Sequence, residues 1–305
     1  MTDLDGVRSQ YAQIAALYEQ AVIPVIGPLA YDLAGWIVRC ASARLRCELY
    51  DPFDLDESGA SSASSADHLR ALSALDVGTG TGILARALAG SFGQALGIDL
   101  SPRMLDVAVR ESPQNVRFVI ADLHHPPLQR GAVQLVVSSF GLNSSTPRKA
   151  LRALARILRA GEGLLAFQEW GVQDECSKLI NDILDEYTPE DVPGLDDALR
   201  NFHAAPKPWY DQLQYAEDFY DLLKESGFEL VWVREAPFVT VHLPSIDTFL
   251  TFKLAWPLRR LTVEAMAPET RAAFYTAVHD QTRRFANRDG SFDWSPSLFR
   301  VFAAR

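Results

Sequence analysis

The sequence predicts a doubly wound α/β fold, a mostly parallel sheet with helices on both faces. Three observations carry that expectation. From about residue 68 to 170, short apolar runs alternate with helix-length segments, the rhythm of βαβ units. A glycine-rich turn, Gly78-Thr79-Gly80-Thr81-Gly82, separates the first apolar run from the first helical segment. The run at 132–138 is apolar apart from Gln134 and its last residue, as a strand buried on both faces requires.

Taken in order, residues 72–77 form a first strand, and the glycine turn leads into a helix over 83–89. Residues 94–100 form a second strand containing Asp99. Ser101 is placed to cap a helix over 102–109. Val116–Ile120 is a third strand and 132–138 a fourth. A helix over 147–158 ends at Ala160-Gly161-Glu162-Gly163, and 164–168 is the next strand. On the N-terminal side, Tyr11, Ile14, Ala15, Leu17 and Tyr18 recur at helical spacing. Pro28 is placed to open a second helix carrying Leu29, Leu33, Trp36, Ile37 and Cys40. The small polar run 58–65 is expected to be a flexible linker. Beyond 170, the spacing predicts a helix over 174–187, a proline-rich loop over 188–208 and a helix over 216–226 ended by Gly227. Strands at 228–233 and 238–243, helices over 245–284 and a last strand at 297–303 complete the pattern.

The chain has 305 residues, with 29 Lys+Arg against 39 Asp+Glu, giving a formal net charge of −10. Apolar residues make up 48% and charged residues 22%, so a sizeable core can form and whole-chain disorder is excluded. The acidic balance argues against a partner that is a polyanion, because nucleic-acid backbone binding needs a basic face. Three cysteines, Cys40, Cys47 and Cys176, show no paired spacing; reduced thiols in a cytoplasmic protein are expected, with no zinc site. The polar N-terminus lacks the pattern of a signal peptide. The most apolar stretch, 21–30, is broken by Pro24, Gly27 and Pro28 and falls short of the ~20 residues that span a bilayer.

Glycine lets a ligand approach the backbone with no Cβ in the way, and a glycine turn after the first strand is where open α/β sheets bind nucleotide-like ligands. The spacing here is G-x-G-x-G, with Ile83 where a dinucleotide fingerprint has its third glycine. It is also not a P-loop, since no Gly-Lys-Ser/Thr follows. Asp99 suits the two hydroxyls of a ribose. Asp122, after the third strand, suits an exocyclic adenine amine.

Together, LDVGTGTG (75–82), GIDLSPRML (97–105), IADLHHPPL (120–128), AVQLVVSSFGL (132–142) and ALARILRAGEGLLAF (153–167) resemble the class I S-adenosylmethionine-dependent methyltransferases. The similarity is greatest to the subfamily around quinone-biosynthesis and other small-molecule enzymes. It is dense over about 72–170. Departures are Thr79 for a frequent Cys or Ser, Gln134 for a common Asp, and Ala160 and Glu162 around Gly161 in place of a usual Pro-Gly pair. The resemblance implies a Rossmann-like seven-stranded sheet with a helical cap. Residues 1–67 would be an N-terminal cap segment with a Ser-rich linker and 68–170 the cofactor-binding core. Residues 171–305 would supply the remaining strands with substrate-binding insertions. It further implies S-adenosyl-L-methionine as cofactor, held by Gly78, Thr79, Gly80, Thr81, Gly82, Asp99, Leu100, Met104, Ala121, Asp122, Leu123, Ser139 and Phe140. The helix carrying Tyr11 and Tyr18 resembles one that covers the cofactor, and a tyrosine hydroxyl there would meet its carboxylate.

The implied reaction is in-line displacement at a sulfonium methyl, in which positioning does most of the work. A base is needed only where the nucleophile keeps its proton. Candidates are Glu169, at the end of the fifth strand, and His124 and His125, after Asp122. Trp170, Trp209, Phe252 and Trp256 are candidates for lining an apolar substrate pocket. The expected partner is a small molecule, with no nucleic acid and no integral membrane segment; an oligomer is compatible with the sequence. Two other readings are a cofactor-binding protein of the same fold acting as a cyclase or scaffold, and a nicotinamide-dependent oxidoreductase. The misplaced third glycine speaks against the latter.

Overall fold

Strands apolar on both faces must be covered on both sides, and the central strands here are. The computed structural model describes residues 3–45, 51–54 and 63–305. β1 (Ser73–Val77), β4 (Leu135–Ser139), β5 (Leu164–Trp170) and β9 (Leu298–Ala304) are buried along almost their whole length. With β2 (Gln94–Asp99), β3 (Val116–Ile120) and β6 (Leu230–Ala236) they form a seven-stranded sheet in the order β3-β2-β1-β4-β5-β9-β6. β3, β2, β1, β4 and β5 run parallel, and β9 pairs antiparallel to both β5 and β6. Among the five parallel strands chain order runs outward in both directions from β1 and β4, which makes their carboxyl ends the switch point where such sheets bind ligands.

The chain divides into two compact units, one of residues 30–171, 206–236 and 298–305, the other of 1–29, 172–205 and 237–297. The first contains the sheet. One of its faces carries Val136, Leu165, Phe167, Phe299 and Val301, packed against α6 (Pro147–Ile157), α9 (Ala216–Glu225) and Trp209. On the other face, Leu135, Val137, Ala166 and Phe302 meet Leu33, Trp36, Ile37 and Cys40, together with Leu84, Leu88 and Phe92. Each fully buried side chain of this size contributes about 1.5–3 kcal/mol. The buried Arg300 pairs with Asp32 and lies over the Trp36 ring, so the helix on that face is tied to β9 by charge as well as by packing.

In the second unit, α7 (Glu175–Glu186) is capped by Asp174, which accepts from the Ser177 amide at 2.8 Å. α10 (Ile246–Leu254), α11 (Pro257–Ala265) and α12 (Pro268–Thr282) fill the region expected to be helical. Phe249 lies 5.1 Å from Phe292 and 5.0 Å from Trp294, ring to ring.

Several expectations need correcting. Pro28 does not open the second helix. α1 (Asp3–Leu17) passes through a π-turn (Tyr18–Val22) into α2 (Ile23–Leu45), and Pro28 sits inside it. Pro28 thus leaves the Pro24 carbonyl without the amide that would bond to it in an uninterrupted helix. The apolar stretch is therefore longer than 21–30. The helical run Asp5–Arg44 is the one among the described residues long and apolar enough to cross a membrane, and 61% of its most apolar window is buried inside the protein. The expected linker is in part helical, since Ala63 opens α3 (Ala63–Arg70); the rest of it, and Cys47, lie outside the described residues. The proline-rich loop contains α8 (Leu195–Ala204), whose Leu195, Ala198 and Leu199 share a half-buried face. The strand expected at 238–243 shortens to β7 (Val241–Leu243) and pairs with β8 (Phe292–Trp294), outside the main sheet.

Candidate active site

The glycine turn joins β1 to α4 (Ile83–Leu88) at the switch point. Gly78, Gly80 and Gly82 have φ of 66°, 55° and 82°, a region costly for side-chain-bearing residues. They differ in what a Cβ would meet. On Gly78 it would come within 2.5 Å of Gly141 Cα and on Gly82 within 2.7 Å of Phe118 Cζ, but on Gly80 it would meet nothing within 4 Å. Gly78 and Gly82 let the protein close onto the loop, whereas Gly80 leaves bare backbone facing open space. Gly97, on β2, belongs to the first group, because its Cβ would reach Phe118 at 2.6 Å and Thr79 Oγ1 at 2.7 Å.

Two carboxyls brace the loop. Asp76 Oδ2 accepts from Thr79 Oγ1 at 2.6 Å and from the Ala85 amide at 3.1 Å. Burial pushes this carboxyl up to about 7, against the pull of those two bonds. Asp99 Oδ2 accepts from the Gly80 amide at 2.9 Å, and its Oδ1 from the Ser101 amide at 2.8 Å. Burial raises Asp99 above the ordinary carboxylate range, while the amides of Ser101, Gly80 and Leu100 draw it back. A carboxylate has about four lone-pair positions; the Gly80 and Ser101 amides take two and the Leu100 amide draws on a third, which leaves acceptor capacity at the loop's edge. Thr79 and Thr81 are buried, as is Met104, whose amide donates to Ser101 Oγ at 3.4 Å. Leu100 and Ala121 are half-buried and Leu123 is buried.

Asp122 is differently engaged. Its Oδ1 accepts from the His124 amide at 2.8 Å and lies 2.9 Å from His124 Nδ1, while Oδ2 lies 3.0 Å from His125 Nδ1. Burial works to raise this carboxyl, but the bonds from His125 and His124 outweigh it and hold it below its ordinary value. His124 Nε2 accepts from the Thr146 amide at 3.0 Å. That bond requires a bare Nε2, so Nδ1 carries the hydrogen and donates to Asp122. Burial lowers the His124 pKa despite Asp122, in keeping with a neutral ring. With both nitrogens committed, His124 links Asp122 to the start of α6 and has no lone pair left for a substrate proton. His125 is different, with 69% of its side chain exposed.

The turn after β4 completes the site. Ser139 is half-buried and accepts from Gln168 Nε2 at 3.0 Å. Phe140 is the one non-glycine residue with positive φ (62°) among those described. Its amide donates to the Gln168 carbonyl at 3.1 Å, and its ring stacks on Trp170 at 4.0 Å and 12°. Glu169 points into the protein: it is 1% exposed, and burial drives its carboxyl well above the ordinary range. It therefore does not present an ionised base to solvent. Trp209 is wholly buried, and its Nε1 donates to the Ser145 carbonyl at 3.0 Å, so it supports this turn as part of the core. Tyr11, Tyr18, Phe252 and Trp256 belong to the other unit, where Tyr11 and Trp256 meet edge-on at 6.0 Å. Among the described residues, no group of three or more His, Cys, Asp or Glu is arranged to hold a metal. Sequence reasoning missed Gly97, whose need is set by the Phe118 and Thr79 side chains, and Gly141, whose need is set by the backbone of Val77 and Gly78.

Residues 74–161 match the family described as methyltransferase domain. The chain is 39% identical over 90 residues to a demethylmenaquinone methyltransferase of Clavibacter sepedonicus, covering 28% of this chain and 37% of that one. It is 30% identical over 88 residues to the biotin biosynthesis bifunctional protein BioHC of Cellvibrio japonicus, covering 28% of this chain and 18% of the relative. The matched stretch thus spans well under half the length of either relative. Among solved structures, the YcgJ protein of Bacillus subtilis is similar with a TM-score of 0.46 and 14% identity, over 79% of this chain and 95% of that one.

Proposed function

We propose that this chain, whose residues 74–161 are a methyltransferase domain, transfers a methyl group from S-adenosylmethionine to an O, N or C atom of a small, fairly apolar molecule. The observation that carries the reading is the bare backbone at Gly80 beside the Asp99 carboxylate. A Cβ there would fill the space that a ligand needs, and Asp99 keeps acceptor capacity for a ribose hydroxyl. The half-buried Leu100 and Ala121 suit the apolar face of a purine.

When bound, the donor supplies a methyl group on a positively charged sulfur. The chain's own contribution is to hold and orient. Gly78, Gly80 and Gly82 fix the loop, with Asp76 tying its start to α4. Ser139 and the stacked pair Phe140 and Trp170 give the acceptor side one hydroxyl and an apolar wall, which suits a small apolar molecule better than a polyanion. The net charge of −10 points the same way. Orientation supplies on the order of 7–11 kcal/mol of barrier lowering in such reactions. A base is required only for a nucleophile that keeps its proton. Of the candidate bases, His125 alone has an exposed side chain; His124 and Glu169 are committed inside the protein.

Calorimetric titration with S-adenosylmethionine, S-adenosylhomocysteine and NAD tests the reading. The first two should bind and NAD should not. Asp99→Ala should weaken both by about ten- to a hundred-fold, because a hydrogen bond to a charged group contributes about 1.5–3 kcal/mol. Binding of NAD alone, or unchanged donor binding by Asp99→Ala, would refute it.

A further inference from the structure

We infer that Glu169 is a positioning residue for the glycine loop, acting through the turn after β4. The inference rests on the methyl-transfer reading, because the loop it positions is the proposed donor site. Glu169 occupies a face of β5 whose other members, Leu165 and Phe167, are apolar core residues, and its partner across β9 is Phe299. An apolar residue would pack there without the cost of burying an acid. Neither carboxylate oxygen of Glu169 has a hydrogen-bond partner of ordinary geometry, although both are sealed from solvent. What lies beside it is the turn: Phe140 donates to the Gln168 carbonyl and stacks on Trp170, the residues on either side of Glu169, and the amides of Leu142 and Asn143 favour its charged form. Among the described residues those two amides meet no other acceptor, so Glu169 supplies the acceptor this part of the turn lacks.

The turn in turn sets the glycine loop. Its first residue is Phe140, at φ 62°, a conformation that persists only where surroundings hold it. The Gly141 amide donates to Ser138 Oγ at 3.2 Å, and that hydroxyl donates to the Val77 carbonyl at 2.8 Å. Backbone meets backbone next: a Cβ on Gly141 would lie 2.3 Å from the Val77 oxygen and 2.7 Å from Gly78 Cα. At that closeness the turn cannot shift without moving Gly78, so an acceptor that fixes Leu142 and Asn143 also fixes where the loop begins.

The test compares the full chain with Glu169→Gln and Glu169→Leu, by thermal unfolding and by calorimetric titration with S-adenosylhomocysteine. Gln keeps a carbonyl acceptor and should bind within about three-fold of wild type. Leu removes the buried acid but also the acceptor of two amides, so its unfolding temperature reports the balance of the two, while binding should weaken at least about ten-fold. A purely structural role would leave the affinity of the folded protein unchanged, whatever the unfolding temperature. A folded Glu169→Leu that binds like wild type overturns the inference and leaves the donor reading intact. If wild type itself binds no S-adenosylhomocysteine, the donor reading falls and takes this inference with it. Should Glu169→Leu not fold, amide hydrogen exchange on wild type decides. The ligand should slow exchange at 78–82 and 140–143 together; slowing at 78–82 alone overturns the inference.

Discussion

The Thr79 hydroxyl donates to Asp76 Oδ2 over 2.6 Å, and the same oxygen accepts from the Ala85 amide. One buried carboxyl therefore joins the glycine loop to the helix that follows it. Burial raises this carboxyl from 3.8 to about 7, so between those values the folded state keeps a proton that the unfolded chain gives up. Stability from this group is full at low pH and is lost as pH rises through the window. Asp76→Asn imitates the neutral form. Thermal unfolding at several pH values should show the variant gaining on wild type as pH rises from about 4 to 7 and holding that gain above it. Parallel pH profiles for the two proteins would contradict this account.

The two glycines that begin the loop should fail in different ways. Gly80→Ala adds a methyl that meets no protein atom within 4 Å, so its structural cost is the left-handed backbone alone, about 1–2 kcal/mol. The same methyl fills the proposed cradle, so donor affinity should fall by more than the stability change suggests. Gly78→Ala would drive a Cβ to 2.5 Å from Gly141 Cα, backbone that cannot swing aside, and should lower the unfolding temperature most. Titration and thermal unfolding on both variants separate the two effects. Equal losses in both measurements for both variants would contradict the division.

The parts of this site that were legible in the sequence are those whose signal is local. A strand, a glycine turn and a helix follow one another between residues 73 and 88, and Ser101 caps its helix next to Asp99, so the glycine loop and its acid could be read directly. The partners of these residues are fixed by tertiary contact. Nothing near Gly141 in sequence says that it lies against Gly78, or that His124 meets the Thr146 amide. Glu169, at a strand's carboxyl end, had the position of a base, but strand register turned it inward onto the core face. α8 was hidden by Pro189, Pro193 and Gly194, which mark a loop and mask the spacing of Leu195, Ala198 and Leu199. β8 is three residues long, too short for any period to show.

His124 should prove structural. Its Nε2 is the acceptor for the Thr146 amide and its Nδ1 faces Asp122. His124→Ala leaves a part-buried amide without an acceptor, which costs about 1–3 kcal/mol. The unfolding temperature should fall accordingly, while methyl transfer by the folded protein keeps the pH profile of wild type. Loss of the pH dependence in His124→Ala, with stability unchanged, would return His124 to the list of bases.

Lys253 gives a prediction of opposite pH sign. It is 7% exposed on α10, and burial lowers its ammonium to about 8, aided by Arg259 and opposed by Asp174 and Cys176. Asp174 is already occupied, accepting from the Ser177 amide and hydroxyl and from Trp294 Nε1, and it makes no ion pair with the lysine. Below about 8 both folded and unfolded chains hold the proton, and the folded state bears the full cost of a buried charge. Between about 8 and 10.5 the unfolded chain binds more protons than the folded one, so stability from this group rises with pH across that window. Lys253→Met keeps the unbranched stem and removes the charge. It should unfold at a higher temperature than wild type at pH ~7, with the advantage shrinking as pH climbs through the window. A variant less stable than wild type at neutral pH would mean that the ammonium has a stabilising partner in the native protein.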